Sequence, residues 1–241
     1  MDFPRGSEWA KWDLHVHTAS SYDAKYKGQD SDELLCEALI ENNITAVAIT
    51  DHFIIDSERI LKLRKLAPKI TFFPGVELRT DKGSANLHVI LIFSEKLDMQ
   101  ALSNEFNVIM LGDQAKSPKS EETIYWTFEH IIKFAKEKGG LVSLHAGGKT
   151  NGIDKEITNS TLFNQAMKED ISEFVHFFEV GNIKDVENYN KHVFEDIDRK
   201  PLIMCSDCHN PKKYTTKENL WIKANPTFEG LRQCIFQPEE R

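Results

Sequence analysis

The stretch Trp12-Asp13-Leu14-His15-Val16-His17-Thr18 decides the fold prediction, because it places two histidines one residue apart at the end of an apolar-flanked run. Residues i and i+2 of a strand point to the same face. The side chains of His15 and His17 can therefore share one divalent metal ion. An isolated His-x-His pair is more often two ordinary histidines, so the interpretation depends on partners at later strand ends.

The composition is that of an ordinary globular protein, with 241 residues, 40% of them hydrophobic and 28% charged. This length suits one large α/β domain or two small ones. The sequence has no apolar run that could cross a membrane and no signal-peptide core, so we expect a cytoplasmic protein without a membrane partner. The net charge of −8 gives no global electrostatic case for nucleic-acid binding. Bound divalent ions reverse the local sign of charge, so a nuclease is not excluded.

Two of the four cysteines, Cys205 and Cys208, form a C-x-x-C pair. Such a pair occurs in zinc sites and in redox centres. The sequence has no second C-x-x-C, and the pair brackets Asp207 and precedes His209. We therefore favour small residues packing at a strand end over a thiol site.

Predicted strands and helices alternate along the chain. The predicted strands are 12–17, 46–50, 70–73 with an extension to 78, 87–93, 141–144, 174–180, 202–205 and 220–223. The predicted helices are one capped by Ser31, then 57–66, 121–138, 162–168, 184–198 and 227–234 with Thr227 as N-cap, and 94–119 is predicted to be a mobile or inserted loop. This alternation indicates parallel βαβ units, and seven or so strands predict a closed or nearly closed barrel with its active site at the carboxyl ends of the strands.

Metal-binding residue types stand mostly at these predicted strand ends. Besides His15 and His17, the set consists of Asp23, His52, Glu77, His88, His145, Asp207 and His209. Imidazole and carboxylate ligands suit zinc, manganese or iron, and nine ligands suffice for two or three divalent metal ions. A site with several ions activates water and stabilises both oxygens of an in-line displacement at phosphorus. The other histidines, His130, His176 and His192, are predicted to be structural or surface residues.

The same residues recur in a fixed order of short motifs that spans nearly the whole chain. The motifs are Asp13-Leu14-His15-Val16-His17-Thr18, Ile49-Thr50-Asp51-His52, Gly75-Val76-Glu77, Leu87-His88, Ser143-Leu144-His145 and Ser206-Asp207-Cys208-His209. Together they resemble the polymerase and histidinol phosphatase (PHP) superfamily. The resemblance implies an α/β fold, a distorted (β/α)7 barrel similar to a TIM barrel. It also implies a metal-dependent phosphoesterase with two or three ions at the carboxyl face of the barrel.

The resemblance further implies how the ligands are shared. One ion would bind His15, His17, Glu77 and Asp207, a second would bind Asp23, His52 and His209, and a third would bind His88 and His145 with Glu77 as the bridge. In the loop after the first strand, Asp30 or Asp32 is an alternative to Asp23.

Two residues outside this set are assigned to the chemistry. Asp51 is predicted to orient an imidazole, with a solvated strand-end carboxylate as an equally weighted alternative. Lys149 follows Gly147-Gly148 and is a candidate to contact the substrate phosphate as a point charge; Lys212 and Lys213 are similar candidates. An ordinary surface position is the favoured alternative for all three lysines. The glycines before Lys149 lack the upstream glycine of a Walker A motif, so we predict no P-loop.

Both ends of the chain carry a narrower resemblance. Residues 3–9 and 221–231 are similar to the PHP domain at the head of SMC- or AAA-like ATPases. This implies that 1–241 is a single PHP domain whose segment 221–241 leads toward an ATPase domain that the sequence lacks, with such an ATPase as partner in cis or in trans. It also favours a phosphodiesterase that acts on single-stranded nucleic acid. The alternatives are a small-molecule phosphomonoesterase of the histidinol-phosphatase kind and a non-catalytic, metal-stabilised regulatory domain of an ATPase.

Overall fold

The computed structural model describes residues 8–82, 87–108, 126–153, 171, 173–190, 199–216, 218–238 and 240–241. Within these ranges, eight strands form one sheet. The strands are β1 (Trp9–Val16), β2 (Ile44–Ile49), β3 (Thr71–Arg79), β4 (His88–Ile92), β5 (Leu141–His145), β6 (Phe177–Glu179), β7 (Leu202–Ile203) and β8 (Leu220–Lys223). Their order in the sheet is β7-β6-β5-β4-β3-β2-β1-β8.

Helices connect most of these strands. Those in the described ranges are α1 (Ser31–Glu41), α2 (Ser57–Leu66), α3 (Met99–Phe106), α4 (Phe128–Glu137), α5 (Ile183–Asn188) and α6 (Phe228–Phe236), with a 3₁₀ turn at Pro211–Lys213. Helix α2 occupies its predicted range, and Thr227 caps α6 as predicted by accepting the backbone N–H of Gly230. The prediction that Ser31 caps α1 is wrong. The backbone N–H of Leu34 donates to the carbonyl of Asp30, so Asp30 is the N-cap and Ser31 is the first helical residue.

The described residues cover only part of the predicted loop 94–119 and of the predicted helices. Helix α3 lies inside the predicted loop 94–119, because Asp98 caps a helical turn there by accepting the backbone N–H of Ala101. Residues 109–119 of that loop lie outside the described residues. The same holds for the predicted helical segments 121–125, 162–168 and 191–198.

The sheet contains antiparallel as well as parallel strand pairs. The prediction that the sheet consists of parallel βαβ units is therefore wrong for part of the sheet. Strand β4 runs antiparallel to both β3 and β5, and β8 runs antiparallel to β1. The link 80–87 between β3 and β4 is too short for a parallel crossover, which needs about a dozen residues or more. As a result, the amino end of β4 lies beside the carboxyl ends of its neighbours.

The barrel closes where the segment after β7 meets the end of β1. The N–H of His17 donates to the carbonyl of Cys208, and the N–H of Asp207 donates to the carbonyl of His15, both at 3.0 Å. At the other end of β1, β8 pairs with residues from Trp9 to Trp12. The predicted fold class is thus confirmed as a nearly closed α/β barrel, with eight strands in place of seven.

Apolar side chains fill both faces of the sheet. The barrel interior is lined by Trp12, Leu14, Ala46, Ala48, Phe73, Ile90, Ile92, Leu141, Phe177 and Ile203. The larger cluster packs α1, α2 and α4 against the outer face. In the described ranges, none of the helices combines the length and the apolar character needed to cross a membrane.

Candidate metal centre

The inward-facing residues of several strands change from apolar to polar at one end of the barrel. Along β3 the sequence is Phe73, Gly75, Glu77, and along β5 it is Leu141, Ser143, His145. Strand β4 gives the reverse sequence, His88, Ile90, Ile92, because it runs in the opposite direction. Since the ends of these strands meet at one face of the barrel, their polar residues converge there.

A register shift in β1 directs the side chains of His15 and His17 into the barrel interior, where the other polar residues converge. Trp12 and Leu14 pack in the barrel interior, so strict alternation would turn His15 outward. The pairing of β1 with β2 gains one residue between Asp13 and Val16, which is a β-bulge. Bulges re-aim side chains near functional sites. Here the bulge brings His15 into contact with Glu77 on β3.

The first predicted ligand group is compact, and its two histidines and Glu77 are buried. The Nε2 atom of His15 lies 2.9 Å from Nε2 of His17 and 3.0 Å from Oε2 of Glu77. Oδ1 of Asp207 lies 3.4 Å from both Nε2 atoms. The ligand atoms of a tetrahedral ion with bonds of about 2.1 Å are about 3.4 Å apart, so these spacings fit one ion.

The second group forms around Asp23. Its Oδ2 lies 2.8 Å from Nε2 of His209 and 3.6 Å from Nε2 of His52, with His17 close enough to contribute. The two alternatives to Asp23 are held elsewhere. Asp30 accepts the hydroxyl of Tyr26 at the surface, and Asp32 pairs with Arg59 and Lys62.

The third group uses the other oxygen of Glu77. Its Oε1 lies 2.6 Å from Nδ1 of His88 and 3.6 Å from Nε2 of His145. Asn151 lies on the far side of His88, with its amide nitrogen 3.0 Å from Nε2. The two oxygens of Glu77 therefore face different groups, which is the position that a bridging carboxylate needs.

The imidazoles are prepared for metal binding. His145 donates from Nδ1 to the carbonyl of Thr150 at 3.2 Å, and its buried Nε2 has no hydrogen-bond partner among the described residues. His209 likewise uses Nδ1 with the carbonyl of Asp207 at 2.9 Å. A hydrogen bond at one ring nitrogen leaves the lone pair of the other for a ligand bond, as in metal-bound histidines. The residues present therefore fit divalent cations.

The electrostatics of the site favour a cation. Burial alone would raise the pKa of Glu77, but the neighbouring imidazoles of His52, His15 and His88 hold that pKa well below its usual range. Burial likewise opposes the ionisation of Asp207, and its contacts with His15 and His17 lower its pKa. Burial, together with the ammonium of Lys149, lowers the pKa of His145 to about 3. The carboxylates are thus ionised and His145 is neutral at pH 7, which are the forms that bind metals. Burial opposes protonation of His15 and His17, but their contacts with Asp207 and Glu77 raise the pKa of both rings, so a metal ion would displace protons from them.

Asp51 has a different contact from the one predicted. Its two oxygens accept the backbone N–H and the hydroxyl of Thr18, each at 2.6 Å. The carboxylate is buried, which contradicts the solvated alternative. Asp51 therefore fixes the chain directly after His17 and acts on that imidazole through the backbone.

Lys149 lines the cavity, but its ammonium is bound to carboxylates. It pairs with Glu179 and lies 3.3 Å from Oδ2 of Asp207. The other candidate lysines are exposed, with Lys212 placed over the ring of Tyr26 at 3.9 Å.

Glu179 is the site residue that the sequence prediction missed. It ends β6 in the barrel interior and is fully buried, and its Oε2 lies 2.8 Å from Nδ1 of His15. Its place at the carboxyl end of the apolar stretch Phe177-Phe178 is the same signal that identified the other strand-end residues.

The thiol of Cys208 is buried and contacts the carbonyl of Asn210, which agrees with a packing role.

Three residues at the site have a positive φ although they are not glycines. They are Phe53, Asn151 and Asp207, with φ of 62°, 52° and 52°. Such conformations cost energy and are concentrated at functional sites. Each adjoins or belongs to a predicted ligand contact, because Phe53 follows His52 and Asn151 contacts His88.

Two adjoining cavities open over the predicted ligands. The first, of about 460 Å³, is lined by Glu77, His145, Lys149 and Asp207 among others. The second, of about 450 Å³, shares Asp23, Asp207 and His209 with the first. Its outer wall carries Lys25 and Lys213. The site is therefore an elongated depression with its acidic and imidazole ligands along the floor.

Solved structures with the same fold have low sequence identity to this chain. A protein from Bifidobacterium adolescentis, provisionally described as a metal-dependent phosphoesterase, matches with a TM-score of 0.58 and 13% identity, over 96% of this chain and 97% of that chain. An amidohydrolase from Chromobacterium violaceum, solved with bound sulfate and no metal, gives 0.58 and 14%, over 90% and 93%. PsfC from Pseudomonas syringae gives 0.50 and 14%, over 85% and 78%. At this identity the likeness concerns the fold alone.

Sequence comparison is more specific. No curated protein sequence matches the chain. A family model described as the PHP domain matches residues 13–183, which is well over half of the chain and includes the predicted ligands from His15 to His145. The barrel, the ligand order and this match agree, and the chain therefore belongs to the PHP domain family.

Proposed function

We propose that this protein is a metal-dependent phosphodiesterase that cleaves nucleic acid. As a PHP-domain protein with a buried cluster of metal-binding side chains, it is a hydrolase that acts on phosphate esters. The observation that carries the proposal is the convergence of the nine predicted ligands in overlapping groups around Glu77. An apolar core would stabilise the fold better than six imidazoles and three carboxylates on one barrel face. A purely structural role therefore does not explain this cluster.

The chain's own residues supply binding and orientation. Divalent ions in these groups would activate water and neutralise the phosphate oxygens. Glu77, with one oxygen in each of two groups, would serve as a shared ligand of two ions. The bond from Asp51 to Thr18 holds the segment that carries His17, and the cavity above Glu77 leaves room for a substrate phosphate.

The second cavity supports a nucleic-acid substrate. A polynucleotide has charged phosphates on both sides of the scissile bond, and it needs an open path through the site. The wall with Lys25 and Lys213 extends this path beyond Asp23 and His209. Because the ammonium of Lys149 is bound to carboxylates, these two lysines are the exposed cations best placed to contact flanking phosphates.

The experiment compares a single-stranded oligonucleotide with p-nitrophenyl phosphate, both with added manganese. We expect cleavage of the oligonucleotide. The Lys25→Ala/Lys213→Ala variant should raise KM for the oligonucleotide several-fold. The slope of the logarithm of oligonucleotide affinity against the logarithm of salt concentration should fall by about two, one for each lost phosphate contact. The activity of the variant on p-nitrophenyl phosphate should not change.

Matched substitutions at Lys65 and Lys69, exposed residues at the opposite end of the barrel, serve as the control. Hydrolysis of the monoester alone would instead support the small-molecule phosphomonoesterase, for which a cavity of about 460 Å³ has a suitable size. If no phosphate ester is cleaved with metal restored, the enzymatic proposal is wrong.

A regulatory domain that serves an ATPase partner is the competing function of another class. The His15→Ala/His17→Ala variant separates the two, with His130→Ala as control. A catalytic site predicts a loss of activity well above 100-fold with the fold preserved, since loss of an outer partner alone costs about 10–100-fold. A structural site predicts that the fold itself is lost, because metal binding would be coupled to folding.

A further inference from the structure

Two residues outside the predicted ligand set form a continuous connection between two of its members. Glu179, at the end of β6, contacts Nδ1 of His15 with Oε2 at 2.8 Å. Its other oxygen accepts the ammonium of Lys149. The same ammonium lies 3.3 Å from Oδ2 of Asp207. Oδ1 of Asp207 in turn lies 3.4 Å from Nε2 of His15, so the four side chains close a ring.

We propose that Lys149 and Glu179 are positioning residues that hold His15 and Asp207 in the orientation that binds the first metal ion. The inference rests on the metal-binding part of the proposed function and not on its substrate. In this arrangement each ligand turns one atom toward the ion and gives its remaining polar atom to the bridging pair.

The geometry at His15 defines the role of Glu179. A carboxylate at Nδ1 requires the proton on that nitrogen, and it leaves the lone pair on Nε2, which faces His17 and Glu77. This is the carboxylate–histidine arrangement that orients metal ligands and raises their basicity. Both side chains are fully buried, so the contact is shielded from bulk water.

The geometry at Asp207 defines the role of Lys149. Asp207 has a positive φ and is the more exposed partner, with 34% of its side chain accessible. An ammonium on Oδ2 limits rotation of this carboxylate and leaves Oδ1 toward the two histidines. The side chain of Lys149 is 11% exposed, and moving it to a substrate would remove the ammonium from one oxygen of the buried Glu179 and leave that carboxylate with its contact to His15.

The test measures manganese binding without substrate, by titration of the metal-free protein, for Glu179→Gln, Lys149→Met and the double variant. We expect each to weaken binding at the first site by about 10–100-fold, the usual effect of losing an outer partner of a metal ligand. The cobalt-substituted protein should show an altered visible absorption spectrum, since the ligand orientation changes. A matched pair, Glu105→Gln and Lys138→Met, removes a surface ion pair remote from the site and should bind manganese as the wild type does.

The double variant keeps the test decisive if a single variant fails to fold, because it leaves neither charge of the pair uncompensated. If it folds and binds manganese within twofold of the wild type, the positioning role is overturned. Unchanged binding in Lys149→Met with a raised KM would also overturn it, in favour of direct phosphate contact. A wild type that binds no metal would instead refute the proposed function, so the two failures are distinguishable.

Discussion

At the residue scale, Asp13 shows how the chain around the site is secured. This carboxylate is fully buried on β1, and Oδ1 accepts the backbone N–H of Ser206 at 3.1 Å. Oδ2 accepts the hydroxyl of Tyr214 at 2.8 Å. Burial raises the pKa of Asp13, and these hydrogen bonds oppose that effect. Asp13 thus ties β1 to the segment that carries Asp207.

Tyr214→Phe should reduce the free energy of unfolding by about 1–3 kcal/mol, because a buried carboxylate oxygen loses its donor. Urea denaturation measures this change. Tyr26→Phe is the matched control, since that hydroxyl donates to the exposed Asp30 and its loss should cost less than about 0.5 kcal/mol. Equal effects of the two substitutions would contradict the role given to Asp13.

The sequence predicts the nine ligand candidates because each is a metal-binding residue type placed at or near a strand end. The structure brings all nine together. Glu179 carries the same positional signal, but its partner His15 is 164 residues away in the chain and no motif joins them. Lys149 also contacts a residue that is distant in the chain, because Glu179 is 30 residues away. Spacing along a chain cannot reveal which carboxylate an ammonium meets across a barrel.

At the scale of secondary-structure elements, Gly75 allows β3 to fit between its neighbours. A Cβ at this position would lie 2.7 Å from the carbonyl oxygen of Leu91 on β4 and 3.0 Å from that of Ile49 on β2. Both contacts are with backbone, which cannot move aside without disturbing the sheet. The glycine of the Gly-x-Glu motif is therefore required by packing, and it determines the position of Glu77 two residues later.

Gly75→Ala should destabilise the protein by about 1–3 kcal/mol through overpacking. It should also weaken manganese binding, because β3 carries Glu77. Gly148→Ala is the comparison in the denaturation experiment, since its Cβ would meet only an ordinary contact of 3.4 Å. A Gly75→Ala variant of wild-type stability would show that the strands can separate without cost.

A histidine far from the metal centre makes the β5–β6 connection sensitive to pH. The Nδ1 atom of His176 accepts the backbone N–H of Val142 at 3.0 Å, which requires the neutral ring. Burial, with the charges of Lys200 and Arg232, lowers the pKa of His176 below its usual 6.5. Below about pH 6.5 the unfolded chain therefore takes up a proton that the native protein resists, and stability falls as pH falls.

His176→Asn keeps an acceptor near the N–H of Val142 but cannot be protonated. The difference in unfolding free energy between wild type and variant, measured from pH 7.5 to 5, should shift in favour of the variant as the pH decreases. His130→Asn, a histidine substitution on α4, is measured alongside it as the control. If the unfolding free energy of His176→Asn depends on pH as steeply as that of the wild type, His176 does not contribute to the pH dependence of stability.

The sequence predicts the position of most elements better than their direction. Helix α2 and strand β8 have their predicted bounds, because proline or polar residues delimit them. The direction of β4 was mistaken because the alternation of strands and helices elsewhere favours parallel units. Only the length of the 80–87 link carries the contrary information. The bulge in β1 has no sequence signal, since it depends on the pairing with β2.

At the scale of the whole molecule, metal binding should contribute to stability, because buried carboxylates with lowered pKa values concentrate negative charge at one barrel face. Removal of metal with a chelator should lower the thermal midpoint by roughly 5–10 °C, if metal was present at about 100 times its dissociation constant. Differential scanning calorimetry measures this shift. The His15→Ala/His17→Ala variant should show a smaller one, and an unchanged midpoint in the wild type would contradict metal binding.

The closure of the barrel between β1 and the segment after β7 also has a consequence for folding kinetics. The hydrogen bond from Ser206 to Asp13 joins residues 193 positions apart, so forming it has a large loop-closure entropy cost. Contacts of such high contact order form late. During synthesis, His15 and His17 leave the ribosome long before Asp207 exists. A complete set of nine ligands therefore requires that the last strands have docked against β1.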